Sequence, residues 1–352
     1  ACTTIDDPSA YFQTVLFASK GAITFDGNSD LQPDMIWNKN RDSAGYDHHI
    51  VDSVRGVSKL LRVNSTVVEF TSADSITSLN TDGFTIGNDA NGYMQSGSDK
   101  IVTWGWKAGT SFTNDASATS VGTIDSSGSV SDVSGFSICS FTGTGSNGTI
   151  KHGLSTAPKM IIFKQRNGTG YWLTYHAGIG SGTIIRLDTN DVKSNSSVWF
   201  QDTDPTSSVF SVGTSSNNNG SSNTYIAYCF AEVKGYSKFG SYIGGASSFP
   251  FIHLGFKPAC VIIKGAASGD GDAAQHWEIY DNKRQGFNGE NDSLQPSSNA
   301  ASSTNDRIHL MSNGFKINVN SDGVNDNNST YIYMAWAESP FVTSTGIPTT
   351  AR

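Results

Sequence analysis

The chain is short of charge. Only 15% of its 352 residues are Asp, Glu, Lys or Arg, the formal net charge is −8, and no stretch clusters Lys with Arg. Nucleic acid is thereby excluded as a partner, since phosphates need a basic face. Strong helix formers are also scarce, with five glutamates in all: Glu69, Glu232, Glu278, Glu290 and Glu338. No apolar run approaches the roughly 20 residues of a membrane-spanning helix, so no membrane insertion is expected. The opening Cys2-Thr3-Thr4-Ile5-Asp6-Asp7 lacks the charged-then-apolar layout of a secretory signal. With alanine first, the chain reads as a processed or trimmed part of something longer. Cysteine is sparse too: Cys2, Cys139, Cys229 and Cys260 have the spacing of neither a zinc site nor a redox pair. Three of them fall in predicted strands as small buried hydrophobes, and a Cys139–Cys229 bridge stays open.

Catalytic signatures are missing as well. There is no Gly-x-Ser-x-Gly elbow, no His-Glu-x-x-His and no Walker loop. No strand carries the paired carboxylates of a β-sandwich glycosidase. The sequence therefore predicts no catalysis and no cofactor.

Glycine, Ser, Thr and Asn fill the space that charge leaves, and 37 glycines go with many turns and an all-β fold. One stretch is written three times: Pro33-Asp34-Met35-Ile36-Trp37-Asn38-Lys39, Pro158-Lys159-Met160-Ile161-Ile162-Phe163-Lys164 and Pro258-Ala259-Cys260-Val261-Ile262-Ile263-Lys264. Each has a proline, a short, largely apolar run and a lysine six positions after the proline. Proline suits the first residue of a strand, and a run this short and apolar reads as a strand buried on both faces. Each copy is followed by a closing strand ending in Trp104-Gly105-Trp106, Tyr228-Cys229-Phe230 or Met334-Ala335-Trp336. The distance from the proline to the last aromatic is 73, 72 and 78 residues, which is a repeat. In the last closing strand, Ile332, Met334 and Trp336 share one face and the odd-numbered positions the other.

The predicted fold is all-β: three tandem β-sandwich modules, lectin-like or jelly-roll-like, of about 100 residues. Their bounds are 1–108, 136–234 and 235–342. Residues 109–135 form either a Ser/Thr/Gly-rich linker or a polar strand pair on a rim, and 343–352 a tail.

Candidate ligand-binding residues are Trp172, Tyr175, Trp277 and Tyr280, because a flat ring offers an apolar face to a sugar; the competing reading places them in sandwich cores. His48 and His49 are a poor metal pair, since neighbours on a strand point to opposite faces. The oxygen-rich loops at 26–30, 270–272 and 322–326 admit weak calcium binding, although Asp-Gly and Asn-Gly turn chemistry explains them equally well. Asp52 with Arg55 and Asp281 with Arg284 read as structural ion pairs at strand ends.

The run from Tyr225 through Glu232 to Tyr242 resembles a recurrent segment of uncharacterised virion proteins of tailed bacteriophages, mostly marine. Gly255-Phe256-Lys257-Pro258, Trp277 to Arg284, Ser312-Asn313-Gly314-Phe315 and Ala337-Glu338-Ser339-Pro340-Phe341 resemble the same group, so the resemblance extends over nearly the whole chain from Asp7. It implies a virion structural protein at the particle surface: a tail or head fibre, or a capsid-bound appendage. The partners implied are other virion proteins and host-surface polysaccharide. The weakly charged surface and the fibre resemblance favour a symmetric homo-oligomer of three chains. The alternative is a secreted carbohydrate-binding or glycan-cleaving protein.

Overall fold

The computed structural model describes residues 3–267, 275–284, 288–289 and 291–349. Cys2, Glu290 and the loop at 270–272 lie outside them. The chain is all-β, and among the described residues the strands pair antiparallel, with one isolated parallel bridge between Ile124 and Ile150.

One strand order occurs three times. In the first segment of the chain the order is an opening strand Phe12–Phe17, a closing strand Ile101–Trp106, a proline strand Met35–Asn40 and a partner strand His49–Asp52. In the second it is Phe136–Thr142, Thr224–Phe230, Met160–Gln165 and Leu173–His176; in the third, Ser237–Ile243, Thr330–Pro340, Phe256–Ala267 and Trp277–Asp281. The registers agree as well. Met35 pairs with Trp106, Met160 with Phe230 and Cys260 with Trp336.

Prolines 33 and 158 stand two residues ahead of their strands, but Pro258 lies inside the strand Phe256–Ala267. The ladder is interrupted on both sides of it. With no N–H to donate, proline is tolerated inside a strand at such a bulge.

Period-2 alternation between two cores explains why Met160–Phe163 is apolar without a break. Met160 and Ile162 join a core shared by all three segments, whereas Ile161 and Phe163 join a core private to the second. The closing strand of the third segment sorts likewise: Ile332, Met334 and Trp336 face the shared core, and Tyr331, Tyr333 and Ala335 a private one. Small outer sheets cover the private cores of the first and third segments, Gly21–Ile23 with Phe84–Ile86 and Ile76–Leu79, and Phe251–His253 with Gly314–Ile317 and Ile308–Met311. The two-stranded antiparallel sheet of Gly148–Lys151 with Val209–Val212 covers the second. Residue 83 of the Asp82-Gly83 turn has φ +92°, and a Cβ there would lie 1.9 Å from the Ile23 carbonyl oxygen, so only glycine fits.

The polar stretch after the first closing strand is a strand pair. Thr110–Asn114 and Ser126–Ser131 extend the second sheet beyond Phe136–Thr142. Cys139, Cys229 and Cys260 are free and buried.

Candidate functional site

The shared core is closed by hydrogen bonds that repeat from one boundary to the next. Between the first and second segments, Gly170 N–H donates to the Thr66 carbonyl (3.0 Å), Glu69 N–H to that of Arg166 (3.0 Å) and Trp172 Nε1 to that of Arg62 (2.8 Å). Between the second and third, Gln275 donates to Asn190 (2.9 Å), Lys193 to Ala266 (2.9 Å) and Trp277 Nε1 to Arg186 (2.8 Å). Between the third and first, Gly45 donates to Asn299 (3.0 Å) and Ser302 to Arg41 (2.8 Å). There the His48 ring, held by Trp37 Nε1 donating to its Nδ1 (3.0 Å), faces the Gln295 backbone. The three boundaries form a closed ring.

Side chains spanning the boundaries repeat the pattern. Tyr228 Oη donates to Asp52 (2.6 Å), Trp104 Nε1 to Asp281 (3.1 Å) and His176 Nε2 to the Tyr333 carbonyl (3.1 Å). Asp52–Arg55 and Asp281–Arg284 are fully buried ion pairs at 2.5 and 2.7 Å, the structural role read from their recurrence. The lysines six positions after each proline are buried too. Lys164 Nζ donates to the carbonyls of Thr66 (3.0 Å) and Gly170 (2.5 Å), Lys264 to those of Asn190 and Gln275, and Lys39 to that of Asn40 (2.8 Å). Burial pulls their pKa values down, to about 8 for Lys39 and Lys164 and about 7 for Lys264.

This geometry corrects the proposed sugar platform. Trp172, Tyr175, Trp277 and Tyr280 are all buried, so none offers a ring face to solvent. Nor do the members of each pair meet. Residues three apart on a strand point to opposite faces, which sends Trp172 and Trp277 into the shared core and Tyr175 and Tyr280 into private ones. The shared core takes six tryptophans of the seven in the chain. The void left among Trp37, Trp106, Tyr228, Phe230, Trp277 and Trp336 is only about 10 Å³, at the lower limit for one water. Trp172→Ala is accordingly expected to cost about 3–5 kcal/mol, read as a lowered urea midpoint. A variant as stable as the parent would place this side chain outside the core.

The two described oxygen-rich loops, 26–30 and 322–326, make side-chain contacts within the protein. Asp26 pairs with Lys283 at 2.8 Å, and Asn325 donates to the carbonyls of Ala246 and Ser248 while accepting from Gly245 N–H. Among the described residues no group of three or more His, Cys, Asp and Glu side chains is placed to hold a metal.

A different set of polar residues does gather, on the private face of the third segment. An open cavity of about 320 Å³ is lined by His276, Glu278, Gln295, Arg307, Ser321 and Asp322, among others. Glu278 is 1% exposed. Its Oε1 accepts from Arg307 Nη1 (2.5 Å) and Gln295 Nε2 (3.2 Å), whereas its Oε2 has no hydrogen-bond partner. His276 Nδ1 lies 3.2 Å from Ser297 Oγ, and burial lowers the pKa of its ring. The floor beside the ion pair is Gly323, where a Cβ would come within 2.9 Å of Arg307 Nη1 and 3.3 Å of Glu278 Oε1. Sequence reading passed over Glu278, which stands between the two aromatics singled out on the same strand. The missed signal was its carboxylate at a strand position whose counterpart in the second segment is Leu173.

Fold and site together define an all-β protein whose aromatic and ionic signatures close a ring, with a separate polar cavity on one segment. The chain belongs to the family described as "Domain of unknown function (DUF7483)", which it matches over residues 7–340. No curated protein and no solved structure matches it.

Proposed function

We propose that the chain is three copies of one β-sandwich module, bounded at about 1–108, 136–234 and 235–342, closed into a ring that serves as a non-catalytic structural part of a bacteriophage virion. In this reading it sits at the particle surface, in a tail or head fibre or a capsid-bound appendage, and helps the particle adhere to host-surface glycans. One observation carries the structural half: the residues that recur from copy to copy are spent on the boundaries. The proline strands are shared between cores, while Lys164, Lys264, the tryptophans and the Asp–Arg pairs are buried against a neighbouring segment or in the shared core. A repeat kept for chemistry would leave its recurrent polar groups facing a cleft. The virion assignment rests on the resemblance of the Tyr225–Tyr242 run and its companion motifs to phage virion proteins.

The ring closes within one chain, so no second chain is needed to cover the shared core. Association into a homotrimer, the number the resemblance favours, is then a matter of contacts on the outside of the ring. The test is localisation: particles from an infected culture are banded on a density gradient and labelled with antibody against the chain. Co-banding with labelled particles is expected. Chain found only in the free-protein fraction would overturn the proposal in favour of a secreted carbohydrate-binding protein. Light scattering of the purified chain reads the oligomer, and a monomer at micromolar concentration would remove the homotrimer.

A further inference from the structure

The repeat supplies an internal control for the polar cavity. Glu278 pairs with Ile263, five residues after Pro258; Leu173 pairs with Phe163, five after Pro158; His49 pairs with Asn38, five after Pro33. The three are therefore one position in three copies. In the second copy leucine fills it and belongs to the private core, so the fold needs no charge there. In the third copy the same position holds a buried carboxylate with one oxygen unpartnered and an arginine 2.5 Å away. Burying such a pair costs more desolvation than an apolar replacement and is weak evidence of stabilisation. Departures from local consistency of this kind are where function is expected.

The surrounding groups narrow the ligand. Arg307 and the Gln295 and His276 side chains can donate, Glu278 and Asp322 accept, and the Ser321 hydroxyl does both. Two carboxylates against one guanidinium disfavour an anion. Among the described lining residues there is no Trp, Tyr or Phe, and the one ring is the His276 imidazole, tied to Ser297, so a large flat apolar ligand finds little to stack on. A small neutral molecule with adjacent hydroxyls, each both donor and acceptor, fits this set and this volume.

We propose that the cavity around Glu278, Arg307 and Asp322 binds one neutral pyranose unit of a glycan. This rests on the adhesive half of the function proposed above and gives it a place. The site occurs once per chain, and useful adhesion comes from many chains on one particle.

The test uses the intact chain and saturation-transfer NMR with methyl glycosides of neutral hexoses and with glucuronate, at up to about 50 mM to reach millimolar affinities. Transfer to a neutral glycoside and little to glucuronate is expected. Gly323→Ala places a methyl against the ion pair, and Asp322→Asn changes an exposed acceptor. Each is expected to weaken binding about tenfold or more, the loss of about one hydrogen bond, with the melting temperature of Asp322→Asn unchanged. The proposal is overturned if the parent chain binds no glycoside, if glucuronate binds best, or if both variants bind like the parent. Those outcomes leave particle localisation untouched, so failure of the site and failure of the virion reading are told apart.

Discussion

Asp52→Ala is expected to remove about 3–5 kcal/mol of stability, a large fraction of the 5–15 kcal/mol typical of a folded domain. The Asp52 carboxylate accepts from Arg55 Nε (2.5 Å), from the backbone N–H groups of Val54 (3.1 Å) and Arg55 (2.8 Å), and from Tyr228 Oη (2.6 Å) in the next segment. Its removal strands a fully buried guanidinium with Glu69 as the remaining carboxylate (3.0 Å) and leaves the Tyr228 hydroxyl without its acceptor. Unmet polar groups of this kind cost far more than the net worth of the bonds lost. Asp191→Ala is the control. Its pair with Arg186 has a carboxylate 54% exposed, and exposed pairs are worth about 0–1 kcal/mol. Urea unfolding followed by tryptophan fluorescence reads both. Equal midpoints for the two variants would mean that the Asp52 cluster does not hold the boundary.

The second large effect is a stability that climbs with pH across an unusually wide range. His49, His152 and His176 have pKa values lowered to about 4, in each case chiefly by burial, and that of His48 is lowered well below its ordinary value. The unfolded chain takes up these protons near pH 6.5, and the folded chain takes them up only near 4. The contribution of these three rings is therefore full above about 6.5 and is lost as the pH drops through this window towards 4. Each fully buried ring accounts for about 3 kcal/mol. His176 shows the geometric cause: its Nδ1 accepts from Gly178 N–H (3.0 Å) while its Nε2 donates across a boundary, so a second proton has no acceptor.

The buried lysines act in the same direction at higher pH. Their folded pKa values of about 7 to 8 lie below the unfolded 10.5, so stability rises again from about pH 7 to 10. Above that, buried tyrosines such as Tyr333, pushed up to about 12, reverse the slope. Thermal melts from pH 4.5 to 11 are expected to show the highest midpoint near pH 10, with a steep loss below 6. A maximum at pH 5 to 6 would refute this, and His176→Gln is expected to flatten the acid limb.

Much of the fold could be read in advance because its signals are local. A proline, a run of about five residues and a lysine define each central strand, and alternation in Tyr331–Trp336 sorts its two faces. What the sequence hid was a partner for each face. Trp172 and Tyr175 look alike as candidate rings until the shared core is known, and their three-residue offset sends them to opposite faces. The lysines were visible as a pattern, but Thr66 and Asn190, whose carbonyls accept from Lys164 and Lys264, are distant in the chain. The polar stretch after residue 108 resisted assignment because Ser, Thr and Gly serve a rim strand and a linker equally. Glu278 could have been found by setting Leu173, His49 and Glu278 in one column, since a lone acid opposite leucine in a repeat is a physical anomaly.

Because the ring is joined covalently, its closure is a first-order event. Three separate subunits held by the same contacts would come apart on dilution, with a stability set by protomer concentration; a tethered ring keeps each interface at the fixed local concentration its linkers impose. Its boundaries are also released from symmetry, since a substitution alters one of them rather than three at once. The divergence is visible: two boundaries use a tryptophan where the third has His48, and two use an Asp–Arg pair where the other uses His176. A symmetric trimer, which changes all its seams together, could not differ in this way from seam to seam, nor hold a polar cavity in one segment while leucine fills the matching place in another.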